Sequence, residues 1–476
     1  MKQNYVGGAW VAAGQAAPNV NPSDLQDVID EYASGDAALV DQAVEAARAA
    51  FPAWSRSGPQ ARADALDFIG SEILARRAEL GDLLAREEGK TLPEATGEVT
   101  RAGHIFKFFA GEALRPHGEF MPSVRPGINV EITREAVGVV GLIAPWNFPI
   151  AIPAWKIAPA LCHGNCVIFK PADLVPGSSW ALADIISRAG LPAGVFNLVM
   201  GPGSRVGNAI VHHAGIDAIS FTGSVSTGER IARTAIERRA KLQLEMGGKN
   251  PLVVVDDANL EQAVEVAIQG SFYSTGQRCT ASSRVIVTAG IHDAFVARFT
   301  ERAKALVVGD AREKATQIGP AASEAQLEQN LRYIGIGKSE GARLLCGGER
   351  ITGKTEGFYF TPAVFADCDN RMRISQEEIF GPVASVIRAA KYEEALALAN
   401  DSPFGLSAGI CTTSLKLATD FKRNAQAGMV MVNVPTAGVD YHVPFGGRKG
   451  SSYGPREQGR YAAEFFTTVK TAYTGL

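Results

Sequence analysis

Between residues 136 and 247 short apolar runs alternate with longer stretches of mixed polarity. The runs are VGVVGLI, CVIFK, VFNLV, AISF and KLQLE. They are too short for buried helices, and they lack the in-out alternation of a half-exposed strand. This pattern predicts strands covered on both faces, and the intervening segments have the length and composition of crossover helices. The expected architecture is α/β, with a Rossmann-like, doubly wound cofactor domain. A second series starts near Lys249 with LVVVD and RVIV, and continues through FTPAVF, VASVI, LSAGICT and MVMVN, which predicts a second α/β domain. Upstream, residues 37–53 and 60–86 carry helical periodicity, and Pro93, suited to the first helical position, opens a helix expected to reach residue 113. Residues 5–11 and 18–20 read as short strands before an acidic connector.

Two alternating segments, 128–137 and 465–473, have no obvious local partner. They are expected to be strands that complete a sheet with another subunit. The chain is therefore divided into residues 1–117 and 138–247 as the cofactor-binding domain, 248–447 as the catalytic domain, and 118–137 with 448–476 as a small β oligomerisation element. A length of 476 residues suits more than one core. The charge-free span 136–155 is long enough to cross a bilayer. Pro145, Asn147, Pro149 and Pro153 interrupt it, so strand, turn and helix is the expected reading, and no membrane partner is predicted.

Composition narrows the function classes. A net charge of -3 without a basic run gives no reason to expect nucleic acid. Six cysteines form no paired framework, as expected in a reducing, cytoplasmic compartment. Cys162 and Cys166 flank His163 without a second ligand pair, so they are read as buried residues at a helix end, and no metal is predicted.

Candidate chemistry centres on FYSTGQRCTASSR, residues 272–284. Cys279 falls on a loop between a predicted helix and a predicted strand, and its neighbour Arg278 is expected to favour the thiolate; the plain alternative is an inert thiol. Glu245 ends the KLQLE run before Gly247 and Gly248, placing a carboxylate where the backbone turns sharply, although a helix cap would look the same. Asn147 is a neutral amide in the proline-braced turn PWNFP and could simply hold that turn. A thiol, a carboxylate base and an amide donor are the parts that acyl chemistry at a carbonyl carbon needs. A cysteine hydrolase would need a histidine base, and none of the seven histidines stands in a recognisable motif. After AISF a glycine turn, Thr222 to Gly228, leads into a helix start and suits a pyrophosphate, without the standard dinucleotide fingerprint. Lys170 and Asp173 follow the second strand, where a carboxylate can accept from a ribose hydroxyl.

Together PWNFP (145–149), FKPAD (169–173), FTGS (221–224), LEMGGK (244–249), GQRC (276–279), EEIFGPV (377–383) and PFGGRK (444–449) resemble the aldehyde dehydrogenase superfamily, in the family's order and over nearly the whole chain. The resemblance implies NAD- or NADP-dependent oxidation of an aldehyde to an acid, with Cys279 as nucleophile, Glu245 as base and Asn147 as oxyanion donor. An acyl-CoA-forming branch generally lacks the glutamate. The resemblance implies cofactor contacts at Ile143, Trp146, Lys170, Asp173, Gly203, Gly207, Phe221, Gly223, Ser224, Gly247, Glu378 and Phe380. NAD is favoured; Asp173, shorter than the glutamate of many relatives, leaves NADP open. It also implies a homodimer or homotetramer.

Within the family, residues 274–287 and 442–459 are most similar to bacterial 2-oxoglutarate semialdehyde dehydrogenases. The implied substrate is a small aldehyde with a distal carboxylate, with succinate and glutarate semialdehydes as alternatives. Trp155 and Tyr273 stand where succinate semialdehyde dehydrogenases place arginines, which leaves Arg278, Arg456, Tyr441 and His442 as candidate carboxylate contacts. The alternative is an apolar tunnel lined by Phe148, Trp155 and Phe465 for an uncharged aldehyde. From a different class, a catalytically silent binding or structural protein could keep the same fold.

Overall fold

The apolar runs of the first half become strands buried along their whole length, as in Val139–Ile143, Cys166–Lys170 and Phe196–Leu198. The computed structural model describes residues 1–12, 15–115 and 118–475, so the expected domain boundary at 117 lies outside the described residues. In the first sheet the order is Ala9–Val11, Asn4–Val6, Phe196–Leu198, Cys166–Lys170, Val139–Ile143, Ala218–Thr222, Lys241–Glu245 and Ser452–Tyr453. From Phe196–Leu198 to Lys241–Glu245 the neighbours are parallel. The chain winds outward from Val139–Ile143 to Phe196–Leu198, then returns to lay Ala218–Thr222 on the other side. That reversal opens a crevice beyond the carboxyl ends of Val139–Ile143 and Ala218–Thr222, the place where open α/β sheets bind ligands.

A second sheet follows the order Arg343–Cys346, Ala363–Ala366, Val383–Ala389, Ser282–Thr288, Asn250–Val254, Ser407–Cys411 and Met429–Val432. All its neighbours are parallel except Arg343–Cys346 with Ala363–Ala366. Over the first sheet lie helices Pro59–Ala75, Arg77–Glu88 and Ala151–Cys162, each packed against Leu92–Glu112.

Four expectations change. The periodic stretch 60–86 is two helices, because the backbone leaves helical geometry at Arg76 (φ −95°, ψ 12°). Ile69, Ile73, Leu80 and Leu84 are all buried, and their spacing keeps helical phase across the break, which hides it from a periodicity argument. The acidic connector is a strand, Asp24–Ala33, paired antiparallel with Ala16–Asn21; of its acidic residues Glu31 is exposed and Asp24, Asp27 and Asp30 are half-buried. The segments expected to need another subunit pair with each other, from Thr467 opposite Ala136 to Gly475 opposite Ile128. More than three hundred residues separate them, so no local pattern marks the pairing. Finally, residues 448–476 are not one element. Ser452–Tyr453 edges the first sheet, Phe465 and Phe466 enter its core, and only Thr467–Gly475 joins the small sheet with Ile128–Ala136 and Glu119–Pro122.

Arg284 ties the second sheet to the loops around it. Its side chain is fully buried and donates to the Lys249 carbonyl (3.1 Å), Asn370 Oδ1 (2.8 Å) and the Leu398 and Ala399 carbonyls (3.0 Å each). Removing the guanidinium leaves those buried acceptors unpaired. Arg284→Leu is expected to lower unfolding stability by about 3–5 kcal/mol in denaturant titration, and a loss under about 1 kcal/mol would mean that water replaces the lost donors.

Candidate active site

Helix Leu260–Phe272 is capped by Asn259, whose side chain accepts from Gln262 N (3.0 Å), and it ends in a 3₁₀ turn, Tyr273–Gly276. Ser274, Thr275 and Gly276 are successive left-handed residues (φ 52°, 55° and 65°). Such backbone is unfavourable for serine and threonine and persists only where neighbours pin it. Here Glu94 Oε1 accepts from Ser274 N (2.7 Å) and Ser274 Oγ (3.1 Å), and the Thr275 hydroxyl donates to the Gly319 carbonyl (3.1 Å). Beyond the turn, Asn250 Nδ2 donates to the carbonyls of Cys279 (2.7 Å) and Ala281 (2.9 Å). The cysteine loop is thus held by the strand that follows Glu245 in sequence.

Asn147 lies in the turn between Val139–Ile143 and Ala151–Cys162. It is buried, and its Nδ2 donates to the Gln277 carbonyl (3.0 Å), two residues before the cysteine. Lys90 Nζ donates to the Asn147 carbonyl (2.6 Å) and to Glu98 Oε2 (2.7 Å), and stands 3.8 Å from the Phe148 ring centroid. Glu98 Oε1 accepts from Ile150 N and Ala151 N (3.1 Å each), the open end of the next helix. Sequence reasoning missed Lys90 and Glu98. The available signal was a charge at Glu98 on the same stripe as the buried Ala95, Val99 and Ala102.

Glu245 is the last residue of Lys241–Glu245, 2% exposed, and its Oε2 accepts from Ser452 Oγ (2.6 Å) on the neighbouring edge strand. The two glycines that follow allow close approach. A Cβ on Gly247 would overlap the Glu378 carboxylate, and one on Gly248 would overlap the Cys279 carbonyl. Gly248 N also donates to Glu378 Oε1 (2.7 Å). Beneath lies a buried cluster in which Lys156 pairs with Glu457 and donates to Ser220 Oγ (2.7 Å), while Trp155 Nε1 donates to Glu457 Oε2 (2.5 Å).

Two clefts meet at this point. The first, about 690 Å³, is lined by Trp146, Asn147, Gly223, Ser224, Gly247, Cys279, Glu378 and Phe380, and it opens at the crevice of the first sheet. Trp146 and Phe380 meet edge to face, with centroids 5.3 Å apart, and a Cβ on Gly223 would strike the Phe221 ring. Ser224 precedes helix Val225–Glu237, whose free N–H groups suit a pyrophosphate. Ile143 pairs in register with Lys170 and Phe221 at the strand ends, and Lys170 Nζ lies 3.8 Å from the exposed Asp173. A tight glycine turn, a helix start, a buried carboxylate and aromatic edges fit a dinucleotide. Gly203 and Gly207, on the turn before Asn208–His212, are not among the residues lining this cleft, and a Cβ at either meets nothing within 4 Å.

The second cleft, about 870 Å³, is lined by Lys90, Glu94, Glu98, Arg101, Phe148, Trp155, Arg278, Val439 and Phe445, and shares Ile152 and Cys279 with the first. Phe148, Trp155 and Arg278 take the expected places. Phe465 does not: it is fully buried against Phe466 (4.8 Å) in the core of the first domain, and Phe445, 5.4 Å from Trp155, supplies the aromatic wall. Tyr273 packs on the core of the second domain, and Tyr441 packs among His104, Phe108 and His442; none of Tyr273, Tyr441 and His442 lines the cleft. Arg456 donates to the Gly447 carbonyl and is likewise outside the lining. Arg101 was missed, because only packing of Leu92–Glu112 decides which of its basic residues meets the cleft.

Arg278 makes no hydrogen bond to the Cys279 sulfur, although the two act on each other through their charges. Its guanidinium donates to the Gln269 carbonyl, while burial pushes the Cys279 thiol up to about 12, with Glu378, Glu245 and Glu457 adding to the rise and the cysteine's own N–H opposing it. Glu245 is also held well above the ordinary carboxylate range, by burial first and then by Glu457, against Ser452, Lys156 and Arg456. The thiol rests protonated at neutral pH. Iodoacetamide alkylation of Cys279 without cofactor is therefore expected to accelerate steadily from about pH 7 to about pH 10, since only the thiolate reacts. A plateau already reached below about pH 8 would show a stabilised thiolate instead.

Comparison with known proteins agrees with this arrangement. Residues 10–472 match the aldehyde dehydrogenase family. The chain is 45% identical over 474 residues to an alpha-ketoglutaric semialdehyde dehydrogenase of Bacillus subtilis, covering 99% of this chain and 97% of that protein. It is 43% identical over 476 residues to an alpha-ketoglutarate semialdehyde dehydrogenase of Haloferax volcanii, with coverage of 99% and 98%. Among solved structures, betaine aldehyde dehydrogenase of Staphylococcus aureus in complex with NAD+ superimposes with a TM-score of 0.97 at 33% identity, covering 100% of this chain and 95% of that one. The protein is a member of the aldehyde dehydrogenase family.

Proposed function

We propose that this NAD(P)-dependent aldehyde dehydrogenase oxidises a small aldehyde carrying a distal carboxylate, 2-oxoglutarate semialdehyde foremost, and uses NAD in preference to NADP. The observation that carries the reading is the place of Cys279 at the junction of two clefts, with Asn147 lining one of them and Glu245 buried near the thiol. The names of the Bacillus and Haloferax relatives support the substrate.

The Cys279 sulfur attacks the aldehyde carbon, and its proton passes to Glu245 once that carboxyl has ionised. One Asn147 N–H is fixed on Gln277, so the second is free to hold the new oxyanion together with the Cys279 backbone N–H. When bound, the dinucleotide supplies the acceptor for the hydride that leaves this carbon. Glu245 releases the thiol's proton to solvent and, as carboxylate again, takes a proton from the water that attacks the resulting thioester; the carbon–sulfur bond breaks with the Cys279 thiolate as leaving group, and the acid departs. The carboxylate of Asp173 beside Lys170 favours a ribose hydroxyl over a phosphate, which supports NAD.

Association as a homodimer or homotetramer is part of the same proposal. Thr467–Gly475 is an edge strand that presents Val469 (59% exposed) and Tyr473 (61% exposed), and the opposite edge strand of the same small sheet bears exposed Phe120. Edges of this kind favour pairing with another chain. Six free cysteines accord with a reducing, cytoplasmic setting, and among the described residues no helix is long and apolar enough to cross a membrane. A second reading, an uncharged or cationic aldehyde, is favoured by the aromatic lining Phe148, Trp155 and Phe445 and by the name of the Staphylococcus neighbour.

A panel of aldehydes tests the choice. kcat/KM for 2-oxoglutarate semialdehyde is expected to exceed that for pentanal and for betaine aldehyde by about tenfold or more, and a preference for either of the latter would reject the carboxylated substrate. Glu245→Gln is expected to retain one turnover of hydride transfer if the thiol is deprotonated by solvent at raised pH, and to slow the steady state by about 10² to 10⁴. Rapid mixing would then show a burst of reduced nicotinamide followed by near silence; an undiminished steady state would remove Glu245 from hydrolysis.

A further inference from the structure

The cleft that leads to Cys279 holds two guanidinium groups that no carboxylate bonds among the described residues. Three cations line it, Lys90, Arg101 and Arg278. Lys90 is met by Glu98 at 2.7 Å and Glu88 at 3.9 Å. Neither arginine makes an ion pair among the described residues, and the Nε of each is buried without a hydrogen-bond partner. Guanidinium groups withdrawn from water in this way are costly unless an anion joins them.

The two arginines are not equivalent. Arg278 is drawn to the Gln269 carbonyl, on the helix that leads into the cysteine loop, with Glu94 acting on its charge. Arg101 stands across the cleft on Leu92–Glu112, and among the described residues its only hydrogen-bond partner is a neutral amide: Nη2 donates to Gln458 Oε1 at 3.0 Å. Gln458 is fully buried and left-handed (φ 60°), next to Glu457, so its carbonyl oxygen is held in place. The guanidinium carbon lies 5.4 Å from the Trp155 ring centroid, a platform that orients a planar cation. Two carboxylates act on Arg101. Glu98 is already engaged by Lys90 and by the Ile150 and Ala151 N–H groups, and Asp440 is exposed on the segment after Val439. Neither bonds to it.

We propose that Arg101 is the specificity-determining residue of this enzyme: its guanidinium binds the distal carboxylate of an aldehyde whose carbonyl carbon lies at Cys279, with Gln458 positioning it and Trp155 supporting its face. This rests on the reading that the substrate carries such a carboxylate. A guanidinium offers paired N–H groups to the two carboxylate oxygens, which a lysine cannot reproduce, so the site selects an anionic end without reacting with it.

The test compares two five-carbon aldehydes, glutarate semialdehyde and pentanal, on the NAD-loaded enzyme. The unsubstituted protein is expected to prefer glutarate semialdehyde. In Arg101→Gln the ratio of the two kcat/KM values is expected to fall about 30-fold or more, chiefly through KM for the carboxylated compound, and Arg101→Lys is expected to recover part of it. If the unsubstituted enzyme shows the preference and Arg101→Gln keeps it, Arg101 is not the anchor and the carboxylated-substrate reading stands. If the unsubstituted enzyme shows no preference, that reading itself falls. Equal losses on both aldehydes would assign Arg101 a purely structural role and overturn the proposal. A second measurement avoids substitution: glutarate is expected to slow iodoacetamide alkylation of Cys279 in the unsubstituted protein, where pentan-1-ol at the same concentration does not. Equal protection by the two would also overturn it.

Discussion

The close approach of Gly247 and Gly248 to the cysteine loop is the constraint on which the site depends. At this point the chain passes from the last long strand of one sheet to an interior strand of the other, and the backbone has to touch Glu378 on one side and the Cys279 carbonyl on the other. Only glycine leaves room for both contacts. Asn250, two residues on, then fixes the cysteine loop through two carbonyls, and the Gly248 N–H fixes Glu378. Glu245, Cys279 and Glu378 are thereby held together by one short stretch.

Around that stretch the protein buries more charge than packing alone would favour. Lys90, Glu98, Lys156, Glu457 and Glu245 are all nearly inaccessible, and Glu378 is half-buried. Most are answered locally: Lys90 by Glu98, Lys156 by Glu457, and Glu378 by the Gly248 N–H. Burial pushes Glu378 up to about 7, raises Glu245 well above the ordinary carboxylate range, and keeps the thiol protonated at rest. A low-dielectric setting makes each later change of charge strongly felt by its neighbours, which suits a sequence of proton transfers that must occur in order. The resting thiol is quiet for the same reason, although the charge of the adjacent Arg278 acts on it.

Much of the fold was legible because buried parallel strands write themselves as unbroken apolar runs. The same runs located the strand-end turns, and with them Asn147, Glu245 and the glycine turn at Gly223. What stayed hidden depends on contacts between distant segments. Ile69, Ile73, Leu80 and Leu84 keep phase across a helix break, Thr467–Gly475 finds its partner far upstream, and Phe465 reads as a wall of the tunnel although it lies in the core. Lys90, Glu98 and Arg101 sit on or beside a helix whose apolar stripe was visible, yet only tertiary packing turns them toward the cleft. Arg278 shows the converse: adjacency to Cys279 in sequence suggested influence on the thiol, while its side chain is turned to Gln269.

The central claim is that the aldehyde carbon becomes covalently attached to the sulfur at the junction of the clefts. Acid quenching during the first turnover, followed by proteolysis and mass spectrometry, tests it directly. An acyl adduct of the substrate's mass on the peptide that contains Cys279, dependent on NAD, is the result predicted. An adduct on Cys162, Cys166, Cys346, Cys368 or Cys411 instead, or product formed at full rate with no adduct at any cysteine, would contradict the account.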